Sequence, residues 1–330
     1  MRHRTLRLLV LTAAAVVIGV AAAQAVRSPE PSPLADSPPA TAVSPSYRPP
    51  STAPAPTAPA PTATASPTRA SRLPMGGRRI FPEHFLVAYY GTAGTGSLGV
   101  LGEDTPERIA QVLRRTAAPY AVSGRRVQIV YELIVTVADG HPGPDGDYSH
   151  HIAREQVRRY VEAARRNRAL LVLDIQPGRT DFLTAATRWE WALREPWVGL
   201  ALDPEWRMPP GEMPGRTIGQ VDAAEINRVS AWLADLVADR RLPQKVFVVH
   251  QFQPGMVRRI GAVRARPQLA MVQHVDGFGA RADKLATYRR VVRPDRFEIG
   301  FKLFLDEDID MFHPAEVLRL RPPVSFVSYQ

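Results

Sequence analysis

Two carboxylates stand two residues apart directly after a short apolar run, in Gly199-Leu200-Ala201-Leu202-Asp203-Pro204-Glu205-Trp206. Side chains of a strand alternate between its two faces. Leu200, Leu202 and Pro204 would therefore share one face, and Gly199, Ala201, Asp203 and Glu205 the other. Two small residues leave room for a ligand and put two acids beside it. Acids so placed can act as proton donor, base, nucleophile or stabiliser of an oxocarbenium-like centre. The structural alternative is that Asp203 caps a turn and Glu205 pairs with Arg207.

Other apolar runs end in ionisable groups as well. Asp174 closes 170–174 with Gln176 on the same face, and Glu132 lies inside 127–137, where a bare charge must find a partner. His250 ends the run 246–249, and His274 shares a face with Asp276. In the run 299–305, Ile299, Phe301, Leu303 and Leu305 would face outward, leaving Glu298, Gly300 and Lys302 inside. Lys302 is one of only three lysines, so an interior position is informative. It could hold a substrate anion, pair with an acid or form a Schiff base. Each residue alone has a plain reading as a cap, a satisfied core hydrogen bond or an ion pair. Six runs ending this way read together as a site. Trp206, Phe252 and Phe278 follow these groups directly and would suit sugar rings. The Gly/Pro-rich segment 138–151 holds acids and three histidines but no strand-spaced or helix-spaced ligand set, so neither a metal nor another cofactor is expected.

The elements that must position these groups are eight apolar runs at 85–90, 127–137, 170–175, 198–202, 246–249, 270–275, 299–305 and 324–327. Helix-like segments alternate with them near 105–117, 150–168, 180–194, 222–240, 254–264, 281–291 and 308–319. Such alternation is that of βα units around a parallel sheet. Eight strands predict an α/β fold, a (β/α)8 TIM-barrel-like single domain over 80–330, with functional groups at the strand ends. A helix after the eighth strand is missing or replaced by something earlier. Gly91-Thr92-Ala93-Gly94-Thr95-Gly96 lacks the spacing of a dinucleotide turn.

The first quarter of the chain reads differently. Arg2, Arg4 and Arg7, an apolar run from Leu8 to Val20 and Ala23-Gln24-Ala25 predict a signal peptide over 1–25. An uncleaved N-terminal anchor is the alternative, and the mature protein should have no stable membrane span. Residues 28–74 contain 14 prolines among Ala, Thr and Ser, which predicts a disordered linker over 26–79. Up to residue 79 there are nine arginines against Glu30 and Asp36, so most of the net charge of +10 lies outside the barrel. No nucleic-acid partner is expected from a basic excess so placed. The absence of cysteine excludes disulfides and thiolate chemistry. The expected protein is secreted or wall-associated and monomeric.

The stretch from Glu132 through Phe278, with Leu173-Asp174-Ile175-Gln176-Pro177-Gly178-Arg179 and Leu202-Asp203-Pro204-Glu205-Trp206-Arg207, resembles a family of secreted conserved hypothetical barrel proteins of high-GC Gram-positive bacteria. The Asp-x-Glu pair is also similar to that of barrel-fold muramidases, a resemblance that implies Asp203 and Glu205 as catalytic acids of a glycoside hydrolase. The opening Gly-Ile-Asp strand of those lysozymes and the Asp-x-x-Asp-x-Asp-x-Glu series of chitinase-like barrels are both missing. The expectation is a carbohydrate-active barrel acting on cell-wall or extracellular polysaccharide. Glu205 would be the general acid and Asp203 or Asp174 its partner. Glu132, Gln176, Trp206, His250, His274, Asp276 and Lys302 would bind substrate or tune the acids. The alternatives are a non-catalytic glycan-binding barrel and a lyase or aldolase using Lys302.

Overall fold

A computed structural model describes residues 71–122 and 124–330. The expected signal peptide 1–25, and the linker 26–79 up to residue 70, lie outside the described residues. The eight apolar runs all become strands: β1 (His84–Gly91), β2 (Arg126–Ala138), β3 (Leu170–Ile175), β4 (Val198–Leu202), β5 (Lys245–Gln251), β6 (Leu269–Val275), β7 (Glu298–Leu303) and β8 (Val324–Tyr329). Each pairs in parallel with the next, and β8 pairs in parallel with β1, which closes the barrel. A three-residue strand, Ser149–His151, folds back antiparallel onto the end of β2.

Strand alternation divides the apolar residues into two layers. Phe85, Val87, Leu171, Leu173, Leu200, Leu202, Phe247, Val249, Phe301 and Leu303 point out and pack under the helices. Leu86, Ala88, Val130, Val172, Ala201, Val246, Val248, Val272 and Phe326 fill the barrel's lower interior. Leu73, Ile80 and Phe81 belong to the same inner cluster, so packed chain reaches back from residue 80 into what was read as linker. Arg78 fastens this segment by donating to the carbonyls of Arg241 and Leu242.

The covering helices follow their local signals. Thr105 caps α1 (Pro106–Ala117), whose Pro106 sits in the first turn, where a missing N–H costs nothing. Next come α2 (Arg154–Asn167), α3 (Phe182–Thr187), α4 (Glu190–Leu193), α5 (Ala223–Asp239), α6 (Arg281–Val291) and α7 (Pro314–Val317). Asp181 and Asp222 cap α3 and α5. Three expected helices differ. The segment 180–194 is two short helices, broken around Arg188 and Trp189. The segment 254–264 holds two 3-10 turns and, between them, a two-residue strand Val257–Arg258 paired in parallel with Val221–Asp222, followed by Arg259 at φ 55°. Pro254, Gly255 and Gly261 in so short a span disfavour an α-helix. Of 308–319 only Pro314–Val317 is helical. Among the described residues no helix follows β8. The outer face there is covered by the turn after α1, where Tyr120 stacks on Phe85 at 5.0 Å and its hydroxyl meets that of Tyr329 at 2.6 Å.

Candidate functional site

Above the apolar floor the interior face of nearly every strand turns polar. Tyr90 follows Leu86 and Ala88 on β1, Glu132 follows Val130 on β2, and Asp174 follows Val172 on β3. Asp203 follows Ala201, His250 follows Val248, and His274 and Asp276 follow Val272. Lys302 and Ser328 complete the ring from β7 and β8. The alternation that buries the floor therefore also aims these groups inward. All of them are buried.

The centre of the cluster is His250. Its Nε2 lies 3.5 Å from Glu132 Oε1 and 3.8 Å from Asp174 Oδ1, and its Nδ1 lies 3.1 Å from Asp276 Oδ2. Neither ring nitrogen makes a well-aligned hydrogen bond at these distances. The Tyr90 hydroxyl donates to Asp174 Oδ2 at 2.7 Å and accepts from Gln176 Nε2 at 3.3 Å. Gln176 Oε1 in turn accepts from the Ala138 amide, which ties β1, β2 and β3 together at the rim. Lys302 Nζ sits 3.4 Å from the centre of the Tyr90 ring, within the range of a cation–π contact.

His274 stacks on Phe326 at 4.9 Å, and its Nε2 is 3.4 Å from Ser328 Oγ. Gly300 makes this ring position available. A Cβ there would stand 2.0 Å from His274 Cδ2, so no larger residue fits without moving the imidazole.

Glu205 is not on β4 itself. Pro204–Trp206 is a 3-10 turn, and the turn rather than strand parity brings Glu205 to the rim, where it is half-buried. Gly219 returns against this turn and donates its amide to the Glu205 carbonyl at 2.6 Å. A side chain at 219 would clash with the backbone of Pro204 and Glu205. The loop from Trp206 to Gln220 is thus fastened, with Met208 buried and its amide bonded to the Gly178 carbonyl. Arg207 pairs with Glu225 at 3.1 Å, not with Glu205. Asp203 makes no cap, and its Oδ1 has no partner. Neither acid is accounted for by a local structural role. Trp206 is half-buried, with an indole N–H that is buried and unpartnered.

Two residues at the ends of β7 do not lie where strand parity puts them. Glu298 is at the exposed lower end of β7, where it accepts a 2.7 Å bond from Ser325. Leu305, expected to face the helices, is past the end of β7 and exposed. Tyr90 and Ser328 were not singled out by the sequence, although parity with Leu86, Ala88 and Phe326 points to both. Two of the three histidines of 138–151 are engaged separately, His150 with Asp139 at 2.8 Å and His151 with Thr136 at 3.0 Å.

The buried charges pull one another's proton affinities apart. Burial pushes Asp203 well above the usual carboxylate range, and the nearby charges of Glu205 and Asp174 add to it. Asp174 is also raised by burial, against the pull of His250 and the Tyr90 hydrogen bond. Glu205 is raised to about 7 by burial and then by the charge of Asp276. For Asp276 and Glu132 burial acts in the same direction, but contact with His250 outweighs it and both lie below the usual range. His250 is disfavoured as a cation by burial, yet Asp276 and Glu132 hold it well above the ordinary imidazole value. His274 is pushed down to about 3 by burial. One rim therefore carries acids that keep a proton beside acids that give it up, an arrangement suited to acid–base work.

No family model matches the chain, and no curated protein matches it. Among solved structures, a trimodular endoglucanase of subfamily GH5_4 aligns with 66% of this chain and 47% of its own, at 10% identity and a TM-score of 0.37. The chain thus spans about half the length of that protein. The structure of ZgEngAGH5_4 in complex with a cellotriose aligns with 70% of this chain and 82% of its own, at 12% identity and a TM-score of 0.37. The barrel assignment rests on the strand pairings alone.

Proposed function

We propose that this chain is an exported glycoside hydrolase acting on cell-wall or extracellular polysaccharide, with Glu205 as the proton donor. The observation that carries the reading is the position of Glu205. It is the half-buried carboxyl at the rim, it makes no ion pair among the described residues, and the charges of Asp276 and Asp174 act on it. A general acid must hold its proton near neutral pH, and a carboxyl raised to about 7 does so in part. Its partner must be ionised. Asp203 and Asp174 are both held towards the protonated form, whereas Asp276 is held ionised by His250. Asp276 also exerts the largest charge effect on Glu205. The electrostatics therefore favour Asp276 as the ionised carboxylate, with Asp203 as a neutral hydrogen-bonding acid beside the donor. Gln176, Trp206 and Lys302 would contact sugar hydroxyls. Export rests on the segment 1–25 and tethering on the proline-rich residues that follow it.

A second reading has a specific observation in its favour. Glu132, Asp174 and Asp203 are at most 1% exposed, and Lys302 only 3%. A glycan could then be held at Glu205 and Trp206 without being cleaved. The test is the Glu205→Gln variant with purified wall polysaccharides, read by product mass and by glycan affinity. A hydrolase gives products that disappear in the variant while affinity remains. A binding module gives no product with either protein. The Lys302 lyase reading is tested by borohydride trapping with carbonyl substrates, and absence of label on Lys302 removes it.

A further inference from the structure

We propose that Glu132, His250 and His274 form a binding site for a divalent first-row transition metal, Zn²⁺ foremost, inside the barrel beneath Glu205. This goes beyond the hydrolase reading and does not depend on it. One donor atom from each of the three residues lies within 4.8 Å of the other two, and all three side chains are completely buried. Among the described residues this is the one group of three with converging donors. The separation of 3.5 Å between His250 Nε2 and Glu132 Oε1 is close to the roughly 3.3 Å between ligand atoms in a tetrahedral site with bonds of about 2.0–2.1 Å.

The distribution of partners supports the assignment. Three atoms of the cluster have a polar neighbour outside the triad: His250 Nδ1 has Asp276 at 3.1 Å, His274 Nε2 has Ser328 at 3.4 Å, and Asp174 Oδ2 has the Tyr90 hydroxyl at 2.7 Å. Both Glu132 oxygens, both His250 ring nitrogens, His274 Nδ1 and Asp174 Oδ1 make no well-aligned hydrogen bond. Buried acceptors are ordinarily satisfied, so a set of orphans converging on one place calls for a missing partner. A cation supplies one partner to all of them at once.

The contacts to Asp276 and Ser328 are those a metal ligand needs. A ligating imidazole commonly has its second nitrogen held by a carboxylate or hydroxyl, which sets ring orientation and tautomer. Asp276 stands in that place for His250. Ser328 does so for His274 by accepting from Nε2, which leaves a lone pair on Nδ1. Two imidazoles and one carboxylate form a donor set that suits Zn²⁺ and its first-row neighbours and excludes the oxygen-only preference of Mg²⁺ or Ca²⁺. Asp174 Oδ1, 3.8 Å from His250 Nε2, is a fourth donor at hand.

The test uses the full chain stripped by chelator and dialysed, with no glycan present. Its outcome is therefore independent of whether the protein hydrolyses anything. Zn²⁺ titration by calorimetry should give one equivalent, and Co²⁺ should give visible d–d absorbance. His274→Ala and Glu132→Gln, checked for native circular dichroism, should each bind at least tenfold more weakly. Asp276→Asn, which removes the carboxylate beside His250 Nδ1 and its charge, should bind about 10–100-fold more weakly. Should those variants fail to fold, wild-type imidazole resonances decide. Exactly two histidines must shift on Zn²⁺ addition, and they must be His250 and His274. The proposal is overturned by no heat and no Co²⁺ absorbance up to millimolar metal, which would leave an imidazolium between carboxylates. It is equally overturned by unchanged affinity in His274→Ala, or by shifts confined to His141, His150 or His151.

Discussion

Two groups of charges are buried equally deeply in this protein and treated in opposite ways. Around Lys284, between α6 and the loop after β7, every group is paired. Lys284 Nζ donates to the Gly277 carbonyl at 2.8 Å and the Lys302 carbonyl at 2.9 Å, and meets Asp308 Oδ2 at 2.9 Å. Asp308 further accepts from the amides of Gly279 and Phe304. Lys245, near the lower end of β5, is similar, with Nζ 2.7 Å from the carbonyls of Glu195 and Val198. Around His250, by contrast, Glu132, Asp174, Asp203 and Asp276 all keep oxygens without partners. Burial alone is therefore not what distinguishes the rim. A chain that satisfies Lys284 completely can satisfy buried charge, and groups left unsatisfied in the same molecule mark the place kept for something else.

The largest effect should come from Glu205→Gln, which should lower glycan turnover by about 10²–10⁴-fold, the usual worth of a general acid. In the wild type, the rate should fall as pH rises through about 7, because Glu205 then loses the proton it must donate. A pH–rate profile with no descending limb there would remove Glu205 from that role. Next comes Asp308→Ala, which leaves Lys284 buried and unpaired and should cost about 3–5 kcal/mol, read by denaturant unfolding. A loss below about 1 kcal/mol would erase the contrast between the two regions.

Gly300→Ala should cost about 1–3 kcal/mol through overpacking against His274. Its effect on the site should exceed its effect on stability, since the imidazole is what must move. The smallest effect is the pH dependence of stability. Asp203 and Glu205 have folded values raised above their unfolded ones. Their contribution is complete below about pH 4, near the unfolded value, and is lost as pH rises through the folded values. The Tm should decline across that range more steeply in the wild type than in Asp203→Asn. Equal slopes would mean that Asp203 is not held protonated.

Much of the barrel was legible in the sequence because strand periodicity acts residue by residue. Gly199, Ala201 and Asp203 share a face for a reason that needs no knowledge of the neighbouring strands. The same holds for Val172 with Asp174 and for Gly300 with Lys302, and all of them point inward. Parity stops being informative where a strand stops. Glu205 reaches the rim through a 3-10 turn, and Glu298 obeys parity at the wrong end of its strand. The segment 254–264 carries helix-like spacing that its proline and glycines do not let it use.

By itself, then, the sequence determined eight strands, their inward faces and the ring of ionisable groups at their ends, because these follow from a period of two within each segment. The tertiary structure decided which of those groups meet. Glu132 comes from β2, His250 from β5 and Asp276 from β6, and only closure of the barrel brings the three together. The fold of the loop after β4 onto α5 likewise assigned Arg207 to Glu225, and among the described residues Glu205 makes no ion pair. Proton affinities, partner choice and orphaned atoms are properties of distance through space, and spacing along the chain does not encode them.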